Sequence, residues 1–133
     1  MKRIFATTII ITSVLGVVVF AQKKKPAKDP CKDPLSQSEM NVCSRRDYEK
    51  ADAEMNKVYK QLMLELAGYG SDPRPKFQEA QSLWIKYREA NCDSDASLYE
   101  GGSIRPTIYY SCLASVTRER TKMLKAFLVE IRG

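Results

Sequence analysis

Residues 36–70 read S-Q-S-E-M-N-V-C-S-R-R-D-Y-E-K-A-D-A-E-M-N-K-V-Y-K-Q-L-M-L-E-L-A-G-Y-G, and the fold class can be inferred from this segment. Ser36 and Glu39 fit a capping box, in which each side chain accepts a hydrogen bond from the other residue's backbone N–H. Apolar residues then recur at helical spacing, at Met40, Cys43, Ala51, Met55, Val58, Leu62 and Leu66. The stretch therefore predicts one long helix that begins at Ser36 and is ended by Gly68 and Gly70.

Two further helices follow in the sequence. The second is predicted to start after Asp72, a suitable N-cap, and to end near Cys92, and residues 93–104 are predicted to form a loop. The third is predicted over residues 105–131, with an apolar stripe at Ile108, Cys112, Val116, Met123, Phe127 and Ile131. The expected fold is all-α, a small antiparallel bundle of three main helices held by disulfides.

The N-terminal segment has the features of an export signal. Lys2 and Arg3 precede an uncharged run of 17 residues, 4–20, and Val19-Phe20-Ala21 has the small-residue spacing that signal peptidase accepts, so residues 1–21 are predicted to be a cleaved signal peptide. An uncleaved anchor is the alternative, but a span needs about 20 residues. Residues 22–34 are predicted to be a basic, flexible leader and residues 35–133 the helical domain. We therefore expect export to the periplasm or the extracellular space, without a stable membrane span after cleavage.

Charge and composition exclude several classes of function. The formal charge is +6, but residues 1–28 hold six of the 22 basic residues and no acid, which leaves 16 basic and 16 acidic residues in 29–133. No basic face of the kind that binds nucleic acid stands out, so no nucleic-acid partner is expected. The chain has no histidine, the commonest general base, and its carboxylates form no recognisable catalytic pair. We expect no enzyme activity, metal or other cofactor.

The four cysteines, Cys31, Cys43, Cys92 and Cys112, predict two disulfides in an oxidising compartment. No C-x-x-C pair is present, which disfavours a redox motif or a zinc site. Four cysteines allow three pairings. Cys43 lies on the inward face of the first helix, which favours a bridge to another helix. In an antiparallel bundle, however, the end of the second helix and the start of the third lie at the same height, which favours Cys92 with Cys112 and leaves Cys31 with Cys43. The pairing stays open at this point.

Four segments carry a family resemblance. They are S-Q-S-E-M-N-V-C at 36–43, A-D-A-E-M-N-K-V-Y at 51–59, Q-S-L-W-I-K-Y-R-E-A-N-C at 81–92 and G-G-S at 101–103. Together with the order of the cysteines, and with Thr117 and Arg120, they resemble the LprI-type lysozyme-inhibitor-like family, small exported helical domains of bacteria, over residues 31–128. The resemblance implies a binding protein whose partner is lysozyme or another cell-wall hydrolase.

The loop near residues 99–106 is the predicted partner-binding site, at Tyr99, Gly101, Gly102, Ser103 and Arg105. The two glycines let the backbone turn tightly and approach a partner. A serine hydroxyl and an arginine fork could then face the two carboxylates with which lysozymes cleave. The alternative is structural, with the glycines forming a turn and Ser103 capping the third helix. Because many lysozymes are strongly basic and this domain is neutral, inhibition would need local complementarity or a less basic target.

Three other residues are predicted to be structural. Trp84 lies on the apolar face of the second helix and is expected to pack in the core. If the first turn is centred near residues 70–71, Asp52 lies beside Arg88, so we predict an ion pair between them, with Asn56 as a further partner. Such a pair, where buried, specifies the register of the helices more than it stabilises them.

A different function remains open from the sequence. The chain is alternatively an envelope protein-interaction or structural module whose partner is not lysozyme. An exposed Gly-Gly-Ser loop would favour the inhibitor, whereas a loop buried against the domain would favour another partner. The sequence does not define an oligomeric state.

Overall fold

The structure, a computed structural model, describes residues 29–133. Within this range the chain forms three α-helices and no strand: α1 at Gln37–Leu66, α2 at Arg74–Ser97 and α3 at Arg105–Arg132, preceded by a 3₁₀ turn at Pro30–Lys32. The predicted all-α, three-helix fold is confirmed. The predicted signal peptide and residues 22–28 of the leader lie outside the described residues. Among residues 29–133, no helix has the length and apolarity needed to cross a membrane.

Local sequence determines how α1 and α2 begin. The capping box is present, because the Glu39 N–H donates to Ser36 Oγ and the Ser36 N–H donates to Glu39 Oε2, at 3.2 and 3.1 Å. Pro73 is the N-cap of α2 and Pro75 lies in its first turn, and the backbone N–H of Arg74 donates to Asp72 Oδ1 at 3.1 Å. Proline is tolerated in a first turn because the N–H that it lacks has no partner there.

The helices run up, down and up. Asn41 contacts Ser103 and Glu65 contacts Arg132, so α1 and α3 run in the same direction. Phe77 packs on Phe127 with ring centroids 5.1 Å apart, near the end opposite the α2–α3 connection, so α2 is antiparallel to α3. α3 packs against both other helices, more extensively against α1.

A cluster of buried apolar side chains lies in the half of the bundle away from the α2–α3 connection. Five apolar residues of the predicted α1 stripe are buried, at Ala51, Met55, Val58, Leu62 and Leu66. Leu124 and Leu128 of α3 complete the buried cluster, and Trp84 packs against it as a partly buried side chain. Burying a leucine or methionine side chain contributes about 1.5–3 kcal/mol, so this cluster is the main source of stability.

The predicted apolar stripe of α3 is displaced by about one residue from the buried one. Its member Met123 is 63% exposed, and the buried positions are Leu113, Ala114, Thr117, Thr121, Leu124 and Leu128. Two of these positions are threonines, which an apolar pattern passes over: Thr117 Oγ1 accepts from Arg88, and Thr121 Oγ1 donates to the Thr117 carbonyl. Two threonines that are satisfied by hydrogen bonds are therefore buried where the sequence pattern selects only apolar residues.

The second helix is longer than predicted. α2 continues to Ser97 instead of ending near Cys92, so the connection to α3 consists of residues 98–104 and not 93–104. Cys92 and Ala96 are both fully buried, one helical turn apart, which keeps this turn helical against the rest of the bundle. Packing here overrides the loop-forming composition of D-S-D-A-S.

Candidate functional site

The candidate site is the connection between α2 and α3, residues 98–104. It lies at the end of the bundle where α1 and α3 begin, and its residues are exposed. Leu98 is 83% exposed, and Tyr99 and Ile104 are also exposed large side chains. The loop is therefore not buried against the domain, which is the arrangement that favours a binding role for it.

Two glycines shape the loop backbone. Gly101 has φ +74°, in the left-handed region that favours glycine, and the Gly102 N–H donates to the Tyr99 carbonyl at 3.0 Å. A Cβ atom on Gly102 would lie 3.1 Å from that same carbonyl oxygen. The φ of Gly101 thus favours glycine, and a side chain at Gly102 would crowd the Tyr99 carbonyl, in agreement with the predicted tight turn.

Residues at the start of α1 hold the loop from one side. Asn41 Nδ2 donates to the Ser103 carbonyl at 3.0 Å, and Asn41 Oδ1 accepts from Thr107 Oγ1 at 2.6 Å. Gln37 Nε2 donates to both Asn41 Oδ1 and Thr107 Oγ1. Sequence reasoning assigned no role to Gln37, Asn41 or Thr107. A role for Gln37 and Asn41 could have been suspected only because both lie in the 36–43 segment that carries the family resemblance.

Arg105 holds the loop from the other side. Its Nε lies 2.8 Å from Glu100 Oε2 and its Nη2 lies 2.6 Å from Asp93 Oδ1. Hydrogen bonds to Glu100 and then Asp93 raise the pKa of the Arg105 guanidinium above its ordinary value. The sequence predicted that these donors face a partner, but two of the guanidinium nitrogens are bound within the molecule.

Ser103 does not cap the third helix, contrary to the structural alternative considered for it. The N-cap of α3 is Ile104, with no side-chain hydrogen bond, and Pro106 lies in the first turn. The Ser103 carbonyl is bound by Asn41, while the residue itself is exposed. Its hydroxyl therefore lies on the exposed surface of the same loop that carries Tyr99.

A disulfide lies beneath the loop. Cys92 and Cys112 are bonded, with an S–S distance of 2.05 Å, and join the last turns of α2 to the first turns of α3. Cys31 and Cys43 form the second bridge, which ties the 3₁₀ turn to α1. The observed pairing is therefore the one favoured by the matching heights of the helix ends, and not a bridge from Cys43 to another helix. No free cysteine is present in residues 29–133.

The predicted structural residues meet in the middle of the bundle. Arg88, only 4% exposed, donates through Nη1 to Asp52 Oδ1 at 2.8 Å and to Thr117 Oγ1 at 3.1 Å. Its guanidinium also lies 5.0 Å from the Trp84 ring centroid, within cation–π range. Asn56 donates to Asp52 Oδ2 at 2.8 Å, so it supports the carboxylate and not the guanidinium.

A groove lies at the other end of the molecule, between α1 and α2. Its volume is about 670 Å³, and its lining includes Tyr59, Met63, Leu64 and Pro75. Sequence reasoning named no site residue there. The groove is open to solvent and lies at the opposite end of α2 from residues 98–104, so it is separate from the candidate site.

The fold and the loop define a small, disulfide-bonded helical domain with an exposed turn that is held by hydrogen bonds. Residues 30–124 match the family described as Lysozyme inhibitor LprI, and the chain belongs to that family. It is 33% identical over 119 residues to an uncharacterized protein of Rhizobium meliloti (strain 1021), a match that covers 81% of this chain and 84% of that protein. No solved structure is significantly similar to this chain.

Proposed function

We propose that this protein is an exported, non-catalytic inhibitor of lysozyme that blocks the hydrolase cleft with residues 98–104. Membership of the LprI family is the observation that carries the proposal. Two disulfides in a domain of this size fit an oxidising compartment outside the cytoplasm. Residues 1–21 would direct the chain there and be removed, and the mature protein would act in the periplasm or outside the cell.

The loop supplies what a cleft blocker needs. Lysozymes cleave with two carboxylates in a cleft, so a segment that occupies the cleft excludes substrate without any chemistry. The exposed Tyr99 ring offers apolar surface, and the Ser103 hydroxyl offers a donor for a carboxylate oxygen. The turn is already held by Asn41 and Arg105, so little conformational entropy would be lost on binding.

Arg105 acts as a support in this proposal. Its side chain is about one-third exposed and bridges Glu100 of the loop to Asp93 of α2. We assign it to positioning the turn, so that Gly101, Gly102 and Ser103 meet the partner while Arg105 keeps them in place. If the Arg105 guanidinium turned to bind a carboxylate of the partner, it would lose its two charge-assisted hydrogen bonds to Glu100 and Asp93.

The first test is clearance of bacterial cell-wall suspensions by a panel of lysozymes, with and without the mature, oxidised protein. Stoichiometric inhibition of any one of them supports the proposal. The double variant Tyr99→Ala/Ser103→Ala should then weaken inhibition about 100-fold or more, because two central contacts at about 2 kcal/mol each exceed the 1.4 kcal/mol of a tenfold change. Circular dichroism and urea unfolding would show that the variant remains folded.

The α1–α2 turn offers a matched control at the opposite end of the bundle. Tyr69→Ala/Ser71→Ala removes the same two side-chain types from an exposed turn and should leave inhibition unchanged. Equal losses in both double variants would remove residues 98–104 from the mechanism. Absence of inhibition across the whole panel would favour the alternative, an envelope interaction or structural module with another partner.

A further inference from the structure

The second helix carries apolar residues on the side that faces away from the bundle. One side of α2 is buried, at Gln81, Arg88, Cys92 and Ala96. On nearly the opposite side, exposed and mostly apolar residues recur every three or four positions up to the C-cap, and we call them the α2 stripe: Ala80, Leu83, Tyr87, Ala90, Ser94 and Leu98. A helix that packs on one side only has a polar outer side, so the α2 stripe has the pattern of a second contact face.

Large and small side chains alternate along the stripe. Leu83, Tyr87 and Leu98 are 58, 60 and 83% exposed, so most of their apolar surface is in contact with water. The other three members are two alanines and a serine. A surface of this kind fits a second surface on which the large and small positions are exchanged.

Two α2 helices that cross antiparallel about a two-fold axis exchange these positions. With the axis at the level of residues 88 and 89, each large residue of one copy lies level with a small residue of the other: Leu83 with Ser94, Tyr87 with Ala90 and, to within one residue, Leu98 with Ala80. The two-fold axis repeats every contact, since an interface of this symmetry uses the same surface on both subunits. The α2 stripe is therefore complementary in size to a second copy of itself.

Charges beside the stripe fit the same arrangement. Lys86 and Asp93 border it on one side and, being seven residues apart, occupy equivalent positions on the helix. In the antiparallel pair, Lys86 of one copy is within about 3 Å, along the helix axis, of the level of Asp93 of the other. Lys86 forms no ion pair within residues 29–133, and the Asp93 side chain is 63% exposed although Arg105 binds its Oδ1. Opposite charges therefore meet twice in the pair, once on each side of the axis.

We propose that this protein forms a weak antiparallel homodimer through the α2 stripe. The stripe is one helix wide and about 27 Å long, so the contact falls below the about 1,200 Å² of standard specific interfaces. Its dissociation constant should accordingly be about 10–100 µM. Tyr99 and Ser103 lie outside the stripe, and the two 98–104 loops lie at opposite ends of the helix pair, so each copy keeps its own loop accessible.

The first test is the apparent mass of the mature, oxidised protein in sedimentation velocity from about 1 µM to about 1 mM. Leu83→Ala/Tyr87→Ala removes four large side chains from each dimer and should weaken dimerisation at least about 100-fold. Leu64→Ala/Tyr69→Ala is the matched control, because it removes the same residue types from exposed positions outside the stripe. The control variant should dimerise within about twofold of the wild type.

The second test reverses one charge beside the stripe. Lys86→Glu sets a like charge against Asp93 of the other copy and should weaken dimerisation about tenfold at about 0.01 M salt, where the Debye length is about 30 Å. Lys57→Glu makes the same change in net charge on the exposed surface of α1 and should stay within about twofold of the wild type.

The third test determines the direction of the paired helices. A carbodiimide joins an amine directly to a carboxylate, so it should link Lys86 of one copy to Asp93 of the other. Within one α2 the two residues are about 10 Å apart along the axis, too far for a direct bond. In a mixture of unlabelled and isotope-labelled protein, mass spectrometry should therefore find the 86–93 cross-link between one unlabelled and one labelled peptide.

Three outcomes would overturn the inference. They are a protein that remains monomeric up to about 1 mM, a dimer that both alanine double variants weaken equally, and a dimer that does not give the mixed-isotope cross-link. Circular dichroism of each variant would show that it is folded. None of these outcomes bears on the cell-wall assay, so the proposed inhibition is judged separately.

Discussion

At the scale of single residues, the guanidinium of Arg88 is the group that links all three helices. It lies on α2, donates to Asp52 of α1 and Thr117 of α3, and leaves only its Nε without a partner in the described part of the chain. The rings of Trp84 and Tyr48 lie 5.0 and 5.3 Å from it. A buried charge held in this way defines how the helices align, since other registers would leave it unpaired.

The two members of the Asp52–Arg88 pair should contribute unequally to stability. Asp52→Ala leaves a buried cation without its carboxylate and should lower the free energy of unfolding by about 3 kcal/mol. Arg88→Met leaves an Asp52 that is about one-third exposed and bound by Asn56, so it should cost only about 1 kcal/mol. Urea unfolding of both single variants and the double variant measures this. Equal costs, or a double variant less stable than Asp52→Ala, would contradict the argument.

The sequence predicted this pair but not its third member. Antiparallel helices joined by a short turn pair residues whose numbers have a constant sum, so Asp52 and Arg88 could be matched from the position of the turn alone. Thr117 could not be found in this way, because it comes from α3, whose alignment depends on packing against two helices at once. A threonine also does not stand out as buried until its hydrogen-bond partner is known.

At the scale of the elements, local interactions were predictable and packing effects were not. The start of α1 follows from Ser36 and Glu39, which are three residues apart and need no other part of the chain. The end of α2 depends on Cys92 and Ala96, which are buried against other elements, so the pattern of residues placed it five residues too early. The Gly-Gly turn was predictable, but the engagement of Arg105 by Asp93 required knowing that residue 93 is helical.

The two disulfides should contribute differently because they join different elements. Cys92→Ala/Cys112→Ala releases α2 from α3 beneath the loop and should lower the free energy of unfolding by about 3 kcal/mol, as expected for a bridge that closes about 20 residues. Hydrogen exchange of residues 98–104 should also accelerate, and inhibition should weaken. These changes are measured by urea unfolding, exchange mass spectrometry and the cell-wall assay.

The other bridge provides the comparison. Cys31→Ala/Cys43→Ala frees the turn at Pro30–Lys32, which contacts α1 and can open without the bundle. It should therefore cost no more than about 1 kcal/mol of global stability, with faster exchange confined to the residues before α1. A larger global loss than for the Cys92–Cys112 variant would show that the 3₁₀ turn is part of the cooperative core.

At the scale of the whole molecule, composition leaves few groups that titrate near neutral pH. The chain has no histidine, and its described cysteines are all in disulfides. The free energy of unfolding should therefore stay nearly constant from about pH 6 to about pH 9. Burial raises the pKa of the Tyr48, Tyr59 and Tyr109 hydroxyls above their ordinary values, so the first large change should come at alkaline pH.

The sign of the alkaline change follows from these pKa directions. An unfolded tyrosine loses its proton near pH 10, whereas the folded hydroxyls keep theirs to higher pH, so the unfolded state binds fewer protons above about pH 10. The stability they contribute is complete below pH 10 and is lost as the pH rises through the folded pKa values. Urea unfolding at pH 7, 9 and 11 measures the loss, and Tyr59→Phe, which keeps the ring and removes the hydroxyl, should reduce it. Tyr69→Phe changes an exposed ring and is the control. If the free energy of unfolding already fell between pH 7 and 9, or if Tyr59→Phe left its loss at pH 11 unaltered, the buried tyrosine hydroxyls would not be the cause of the alkaline loss.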